Sequence, residues 1–286
     1  MTGTGRGRMP QHLLRAEEVT LAYGERVVVR DLDLVVEPGR VTSVVGANGS
    51  GKSTVLRALA RLLAPTEGRV VLDGKDLHRL PTREVARTLG LLPQSPVAPE
   101  GIVVADLVAR GRHPHQRLFA PWSAADTAAV EQALEVTGTG DLAERAVDEL
   151  SGGQRQRVWL AMVLAQQTEV LLLDEPTTFL DVAHQVEVLD LLADLNRDHG
   201  VTVLMVLHDL NLAARYSDTL VAVHAGRVHA VGEPDVVLTA ELVREVFGLA
   251  AHVMPDPVTG RPLVLPLSRH ATAARRSEAA AGAPDG

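Results

Sequence analysis

The feature that most limits how this chain can fold is a glycine-rich segment between a short apolar run and a helical pattern. The segment reads Gly46-Ala47-Asn48-Gly49-Ser50-Gly51-Lys52-Ser53, and its spacing is that of a phosphate-binding P-loop. Val41–Val45 predicts a buried strand before it, and a helix is predicted from about Lys52 to Leu63. Glycines let backbone N–H groups approach phosphate oxygens, and a helix N-terminus favours an anion. Because a strand and a helix flank the segment, a plain glycine-rich turn is the weaker interpretation.

Four polar side chains carry the chemistry that this pattern predicts. Lys52 is expected to reach the β- and γ-phosphates of a nucleotide, and the Ser53 hydroxyl to ligate Mg²⁺. The apolar strand Val170–Leu173 ends in Asp174 and Glu175. Ligands of open α/β sheets bind at the carboxyl ends of strands, so both carboxylates are expected beside the P-loop. Asp174 would hold Mg²⁺ through its water shell and Glu175 would orient an attacking water, unless the pair is an ordinary strand end followed by an acidic helix cap.

Composition and charge exclude several classes of protein. The 286 residues include no cysteine, which rules out disulfides, thiolate metal sites and cysteine catalysis. A net charge of −8 is unfavourable for a nucleic-acid binder. No apolar run approaches the roughly 20 residues that span a bilayer, and the first residues lack the apolar segment of a secretory signal. We therefore expect a cytoplasmic chain whose membrane role, if any, comes through a partner.

The chain divides into one ordered domain, residues 12–268, and two tails, 1–11 and 269–286, which we expect to be disordered. Met9 is an alternative start to Met1. Prolines break the middle of the chain into short helices, which predicts a helical subdomain inserted at about residues 88–165. Within it, Ser123 and Asp126 predict a capping box for a helix that runs to about Thr137.

The remaining pattern alternates strands and helices, which predicts an α/β fold with a mixed, mostly parallel sheet. Antiparallel strands are expected first, because apolar and polar residues alternate there. The predicted elements are half-buried strands Leu13–Tyr23 and Val27–Val36, strand Val70–Leu72, a long helix from about Val182, strand Val201–Leu207 with a further helix after it, a hairpin over 219–231 that turns at Ala225-Gly226, and two short strands within 251–267.

A second motif narrows the class of nucleotide-binding protein. Leu150-Ser151-Gly152-Gly153-Gln154 is good loop-to-helix chemistry, because a hydroxyl and free N–H groups at a helix N-terminus attract an anion. A plain helix cap is the alternative. The motif resembles the LSGGQ signature of the ATP-binding cassette (ABC) ATPases. That resemblance, over about Leu13 to Leu267, implies a P-loop NTPase core with an antiparallel β subdomain and an inserted helical subdomain.

The resemblance also implies roles for individual residues. Taken singly, a tyrosine after a strand is usually packing and a histidine at a strand end is usually surface, but here the family elements occur in order. They imply ATP hydrolysis in a homodimer, in which the signature of one copy closes over ATP on the P-loop of the other. The implied nucleotide-binding residues are Tyr23, Gly46, Asn48, Gly49, Ser50, Gly51, Lys52, Ser53, Thr54, Ser151, Gly152, Gly153, Gln154 and Asp181; the implied catalytic residues are Glu175, His208, Lys52 and Gln94; and the implied Mg²⁺ ligands are Ser53, Gln94 and Asp174.

Finer resemblance points to the ATPases of ferric siderophore importers. It is carried by Gly90–Gln94, by Ala98–Gly101 through Arg110–His115, by His208–Asn211 through Tyr216, and by the C-terminal Pro255-Asp256-Pro257 with Thr259-Gly260 through Pro262-Leu263. The resemblance implies integral-membrane permease subunits as partners, a substrate-binding protein as an indirect partner, no nucleic acid, and a place on the cytoplasmic face of the membrane. His113 and His115 lack the further ligands that a metal site needs. Arg110, Arg112 and Arg117 form a basic run that is either a solvated face or a contact with a partner loop.

Several alternatives stay open at this point. The cargo of the importer is haem or cobalamin in related groups. A soluble ABC-type ATPase of iron–sulfur cluster assembly is a further alternative, whereas DNA-repair members usually carry long coiled coils that this chain lacks. A nucleotide-binding regulator without hydrolysis is disfavoured by the presence of Glu175 and His208.

Overall fold

The computed structural model describes residues 12–116 and 121–268. The predicted tails and Arg117 lie outside the described residues. The strands are β1 (Leu14–Tyr23), β2 (Arg26–Val36), β3 (Val41–Val45), β4 (Glu67–Leu72), β5 (Lys75–Asp76), β6 (Leu89–Leu92), β7 (Val170–Asp174), β8 (Thr202–Val206), β9 (Thr219–His224), β10 (Arg227–Gly232), β11 (Ala251–Pro255) and β12 (Pro262–Pro266). The α-helices are α1 (Lys52–Leu59), α2 (Thr82–Thr88), α3 (Val104–Ala109), α4 (Ala124–Val136), α5 (Gly152–Ala165), α6 (Val182–His199), α7 (Leu210–Tyr216), α8 (Pro234–Val237) and α9 (Ala240–Phe247).

The central sheet has six strands in the order β10-β9-β3-β8-β7-β6. Strands β9, β3, β8, β7 and β6 run parallel, and β10 pairs antiparallel with β9. Strands β3, β7 and β8 are buried along their whole length, as expected for short Val/Leu runs covered on both faces. The predicted α/β class with a mixed, mostly parallel sheet is therefore confirmed.

A second, antiparallel sheet has the order β2-β1-β4-β5. Alternate side chains of the central strands enter two different cores. Val44, Leu172 and Leu204 pack with the antiparallel sheet and helix α1. Their neighbours Val45, Leu173 and others pack with the helices on the opposite face. The P-loop and the strand ends thus lie between two well-packed layers that hold them in place.

Three helices of the inserted region pack against one another. Helix α5 contacts both α3 and α4. Ser123 is the N-cap of helix α4. Its hydroxyl accepts from the backbone N–H of Asp126, and the Asp126 carboxylate accepts from the backbone N–H of Ser123. The predicted capping box and its helix are confirmed.

Two local predictions were wrong, and two helices were missed. The helix after the P-loop ends at Leu59 and not near Leu63, because Arg61 adopts a left-handed φ of 63° that a helix cannot continue through. Leu89–Leu92, which falls in the range assigned to inserted helices, is strand β6 at the edge of the central sheet. Helices α8 and α9 were not predicted. None of the helices in residues 12–116 and 121–268 combines the length and apolar character needed to cross a bilayer.

Candidate nucleotide-binding site

One cleft of about 700 Å³ gathers most of the predicted site residues. It lies where the P-loop, the end of β7 and the loops after β1, β6 and β8 meet. These segments are distant in sequence, and the parallel sheet brings their ends to one edge. The residues that line the cleft are Tyr23, Arg26, Val28, Asn48, Gly49, Gly51, Lys52, Ser53, Thr54, Gln94, Glu175 and His208.

The P-loop folds tightly around its own lysine. Lys52 is 5% exposed, and its Nζ donates to the carbonyl oxygens of Gly46 and Ala47 at 2.9 and 3.0 Å. Burial lowers the pKa of Lys52, although the nearby carboxylates of Glu175 and Asp174 oppose that shift. The lysine is therefore held inside the loop rather than extended into solvent.

Two glycines of the P-loop, Gly46 and Gly51, have no space for a side chain. A Cβ on Gly46 would come within 2.2 Å of the carbonyl oxygen of Val223, and a Cβ on Gly51 within 2.9 Å of Val29. The Ser50 side chain is buried, and its hydroxyl has no hydrogen-bond partner among the described residues. Buried polar atoms are normally paired, so an unpaired hydroxyl in this loop fits a ligand that supplies oxygen atoms.

The predicted Mg²⁺ ligands Ser53 and Asp174 are hydrogen-bonded to each other at the edge of the cleft. The Ser53 hydroxyl donates to Asp174 Oδ1 at 2.9 Å. Asp174 is 1% exposed, and burial raises its pKa against the opposing effect of the hydrogen bond from Ser53. Oxygen donors of this kind suit Mg²⁺.

Glu175 is the best-connected side chain of the cleft. Its Oε1 accepts from Gln94 Nε2 at 2.8 Å and lies 2.6 Å from His208 Nε2, and its Oε2 accepts from the Thr178 hydroxyl at 3.1 Å. Burial alone would raise the pKa of Glu175, but the hydrogen bonds from His208 and Gln94 outweigh it and lower the pKa. Glu175 and Asp174 are adjacent, yet their pKa values shift in opposite directions. Glu175 also has a φ of 56°, a backbone position that non-glycine residues rarely adopt.

The signature segment is placed differently. Ser151 is the N-cap of α5: its hydroxyl accepts from the N–H of Gln154 at 3.2 Å, and Gln154 Oε1 accepts from the N–H of Ser151 at 3.1 Å. Ser151 and Gly152 are exposed, and none of Ser151–Gln154 lines the cleft around Lys52. The structure therefore separates these four predicted binding residues from the P-loop of their own chain.

Asp181 is also outside the cleft. Its carboxylate caps helix α6 by accepting from the N–H of His184 at 2.9 Å, and it lies 2.7 Å from His184 Nδ1. These hydrogen bonds lower the pKa of Asp181. Phe179 lies two residues before Asp181 and is 77% exposed. It is next to the signature, because a Cβ built on Gly152 would lie 3.4 Å from the Cβ of Phe179. Asp181 and the signature thus share one exposed face.

The family model described as "ABC transporter" matches residues 29–178, which extend from β2 through the P-loop and the signature to the loop after Glu175. That match covers more than half of the chain. The chain belongs to the ABC transporter family.

Relatives and solved structures agree with this assignment. The chain is 55% identical over 256 residues to the achromobactin transport ATP-binding protein CbrD of Dickeya dadantii, covering 90% of this chain and 95% of that protein. It is 49% identical over 264 residues to the ferric enterobactin transport ATP-binding protein FepC of Escherichia coli, covering 92% and 97%. Its fold is similar to a metal-chelate type ABC transporter in an inward-facing conformation, with 28% identity, a TM-score of 0.77, and coverage of 91% of this chain and 99% of that chain.

Two residues that support the cleft of this ABC transporter family member, Arg57 and Gln156, were not predicted from the sequence. Arg57 donates to the Tyr23 hydroxyl at 3.2 Å and so steadies the half-exposed ring at the mouth of the cleft. Buried Gln156 of helix α5 donates to the carbonyl oxygen of Pro176 at 3.1 Å, directly after Glu175. Gln156 could have been found from the sequence, because it is a polar residue at a position of α5 where the helical pattern predicts burial. No sequence pattern predicts the role of Arg57.

The interpretation of Arg112 as a surface charge was wrong. Its side chain is 7% exposed and forms an ion pair with Asp126 at 2.9 Å. It also donates to the carbonyl oxygen of Ala165 at 2.8 Å and to Gln167 Oε1 at 3.0 Å. Nearby His115 lies 2.8 Å from the carbonyl oxygen of Gln166. The segment around Arg112 therefore joins the start of α4 to the end of α5.

Proposed function

We propose that the chain binds ATP with Mg²⁺ in the cleft around Lys52 and hydrolyses it. The observation that carries this proposal is the Glu175 carboxylate, which Gln94 and His208 hold in its charged form beside the P-loop. A carboxylate is the hydrogen-bond acceptor that an attacking water needs, and a lowered pKa keeps it ready near neutral pH. The P-loop supplies the complementary positive charge through Lys52 and backbone N–H groups.

Each polar residue of the cleft has a place in this proposal. Tyr23 would stack on the adenine ring, while Lys52 and the N–H groups of the P-loop bind the phosphates. Thr54, beside Ser53 at the start of α1, would extend the same phosphate contact. Binding there would leave the γ-phosphorus facing Glu175, which accepts a hydrogen bond from the attacking water. As the water oxygen bonds to phosphorus, the bond from phosphorus to the bridging oxygen breaks and ADP leaves. The water proton passes through Glu175 to the departing inorganic phosphate, while His208 contacts the γ-phosphate.

A magnesium ion fits the donors beside the P-loop. Ser53, Asp174 and Gln94 offer hydroxyl, carboxylate and amide oxygens, which are ligands of the type that Mg²⁺ prefers. Within residues 12–116 and 121–268, no group of three or more histidine, aspartate or glutamate side chains is arranged to hold a metal ion. The phosphates and water would therefore complete its coordination. Bound there, magnesium supplies neutralisation of the phosphate charge.

We further propose that two copies of the chain complete each ATP site. The exposed Ser151 and Gly152 at the N-terminus of α5 present anion-binding groups that the chain's own cleft does not use. In the homodimer, Ser151–Gln154 of one copy would close over ATP on the P-loop of the other, with Asp181 alongside. ATP would favour the closed dimer because its γ-phosphate contacts both copies, and hydrolysis would remove that preference.

We propose that this ATPase energises the import of a ferric siderophore across the cytoplasmic membrane. The support is the similarity to CbrD and FepC, which are named for achromobactin and ferric enterobactin transport, and to a metal-chelate type transporter. The chain would lie on the cytoplasmic face, bound to integral-membrane permease subunits near Gln94, with a substrate-binding protein as an indirect partner. Haem or cobalamin import and iron–sulfur cluster assembly are the competing functions.

Uptake by a deletion strain separates these functions. The strain would be given a panel of ferric siderophores, haem and cobalamin, and complemented with the wild-type chain or with Glu175→Gln. The proposal predicts loss of ferric siderophore uptake, restored only by the wild-type chain. Normal uptake of ferric siderophores together with loss of haem or cobalamin uptake would identify haem or cobalamin as the cargo. Failure of the chain to co-purify with any integral-membrane protein would favour cluster assembly instead.

A further inference from the structure

We infer that Asn211 is a positioning residue, which ties His208 to the C-terminal hairpin β11–β12 through helix α7. The inference rests on the proposed hydrolysis of ATP, in which His208 contacts the γ-phosphate. Asn211 does not touch the cleft itself. It would act by fixing the direction in which α7 leaves the end of β8, and thereby the place of the histidine just before that helix.

The contact is a two-point hydrogen bond between a side-chain amide and a strand. Asn211 Oδ1 accepts from the backbone N–H of Val264 at 2.7 Å, and Asn211 Nδ2 donates to the carbonyl oxygen of Val264 at 3.3 Å. The amide thus pairs with β12 in the way that a neighbouring strand would. Two bonds to one residue fix both distance and orientation, which a single bond does not.

Helix α7 is a short link between this contact and the cleft. It spans seven residues, Leu210–Tyr216, and its N-cap is Asp209, whose carboxylate accepts from the N–H of Asn211 at 2.8 Å. His208 directly precedes that cap and lies 2.6 Å from Glu175. Isolated helices this short are not stable in water, so tertiary contacts must set where α7 points.

The hairpin is a fixed reference point rather than a loose end. Val264 and Ala251 are 4% and 9% exposed and belong to the same core as strands β7 and β8. At the other end of α7, the Tyr216 hydroxyl donates to Asp190 of helix α6 at 2.8 Å. Burial and the hydrogen bond to Asp190 raise the pKa of Tyr216 to about 12, so it stays a donor. Helix α7 is therefore held at both ends, and Asn211 holds the end nearer His208.

The test compares Asn211→Ala and the isosteric Asn211→Asp with a matched control, Asn196→Ala. Asn196 is also partly buried and also donates its side-chain amide to a backbone carbonyl, that of Val201 at 2.8 Å, but at the far end of α6. Steady-state ATP hydrolysis by the purified full chain gives kcat and KM, measured well below each melting temperature. We expect kcat to fall about fivefold to tenfold for Asn211→Ala, about twofold to fivefold for Asn211→Asp, and less than twofold for the control. KM for ATP should change less than twofold, because Tyr23 and the P-loop are untouched.

Equal kcat values in the wild type and both Asn211 variants would overturn the inference, as would an equal loss in Asn196→Ala. Asn211→Asp decides the question if Asn211→Ala does not fold. A second measurement tests whether Asn211 acts through His208. When His208 is already replaced by alanine, adding Asn211→Ala should change the residual ATP turnover less than twofold. A fivefold to tenfold loss in that background would show that Asn211 does not act through His208. A wild-type chain without any ATPase activity would instead contradict the proposed function, so the two failures are distinguishable.

Discussion

Two loop-to-helix junctions of this molecule have similar sequences and opposite structures. The P-loop enters α1 through Gly51 at a φ of 108°, with its lysine buried against its own carbonyl groups. The signature enters α5 through Ser151 with a regular capping box, and it is exposed. The first junction is shaped to surround a ligand, whereas the second is a standard helix start that presents its free groups outward. The difference supports the proposal that one chain holds half of an ATP site and that a second copy supplies the other half.

The largest expected effect is that of Lys52→Ala. Removing the buried ammonium should lower ATP turnover by about 10²-fold to 10³-fold, because Lys52 is the only cationic side chain between Gly46 and Thr54. The chain has one other lysine, the exposed Lys75. Lys75→Ala serves as the matched control and should keep wild-type phosphate release. Wild-type turnover by Lys52→Ala would show that the P-loop does not bind the phosphates of ATP as proposed.

Ser151→Arg tests whether the second junction acts only in another copy. An arginine there should block closure of the dimer, so that turnover falls about 10²-fold while each chain still binds ATP with unchanged affinity. Ser123 is the control, because it is an exposed N-cap serine with its own capping box. Ser123→Arg should cost about 1 kcal/mol of stability, as loss of a cap does, and leave turnover intact. Equal turnover in the two variants would mean that Ser151 is only a cap.

Alanine substitution of glycines contrasts the packing of the two junctions. A Cβ on Gly46 would meet backbone, the Val223 carbonyl oxygen at 2.2 Å, whereas a Cβ on Gly152 would meet only Phe179 at 3.4 Å. Gly46→Ala should lower the free energy of unfolding by about 1–3 kcal/mol. Gly152→Ala should change it by less than about 0.5 kcal/mol. Similar melting curves for the two variants would contradict the contrast.

The smallest expected effect is that of Asp126→Asn. Asp126 of helix α4 pairs with Arg112, which also contacts the last residue of helix α5, Ala165. Hydrogen bonds from Ser123 and Arg112 lower the pKa of Asp126. A carboxylate with a depressed folded pKa stabilises the protein above its unfolded pKa, and this contribution disappears as the pH falls through the folded value. Asp126→Asn should therefore destabilise the protein by about 1–2 kcal/mol at pH 7, and less below pH 4. Denaturant titrations of the wild type and Asp126→Asn at pH 7 and below pH 4 measure the difference in their free energies of unfolding. A difference that stays constant or grows as the pH falls would show that the charge of Asp126 does not stabilise the fold.

Local patterns predicted much of the fold. The strand and helix around the P-loop, the hairpin at Ala225-Gly226 and the capping box at Ser123 follow from residues within a few positions of one another. Strand β6 was missed because four residues before Pro93 give no usable period. Arg112 was misjudged because its partners, Asp126 and the Ala165 carbonyl group, lie 14 and 53 positions away, and only the folded chain brings them together.

The candidate site was predictable in parts and for different reasons. The P-loop and the pair Asp174 and Glu175 follow from spacing and from a strand end. Gln94 and His208 came only from the resemblance to a family, because a single glutamine or histidine has no pattern of its own. The structure brings both to Glu175. Their roles in hydrolysis, like those of the signature residues, stay predictions.

In the proposed dimer, ATP joins two copies through the P-loop of one and the signature of the other. The molar mass of the Glu175→Gln chain in solution, with and without ATP and Mg²⁺, measures this joining. Because this variant should retain ATP without hydrolysing it, we expect the mass to rise from 30.5 kDa to twice that value, and Ser151→Arg in the same chain to abolish the rise. A Glu175→Gln chain that binds ATP and keeps the mass of a single copy would rule out the shared site.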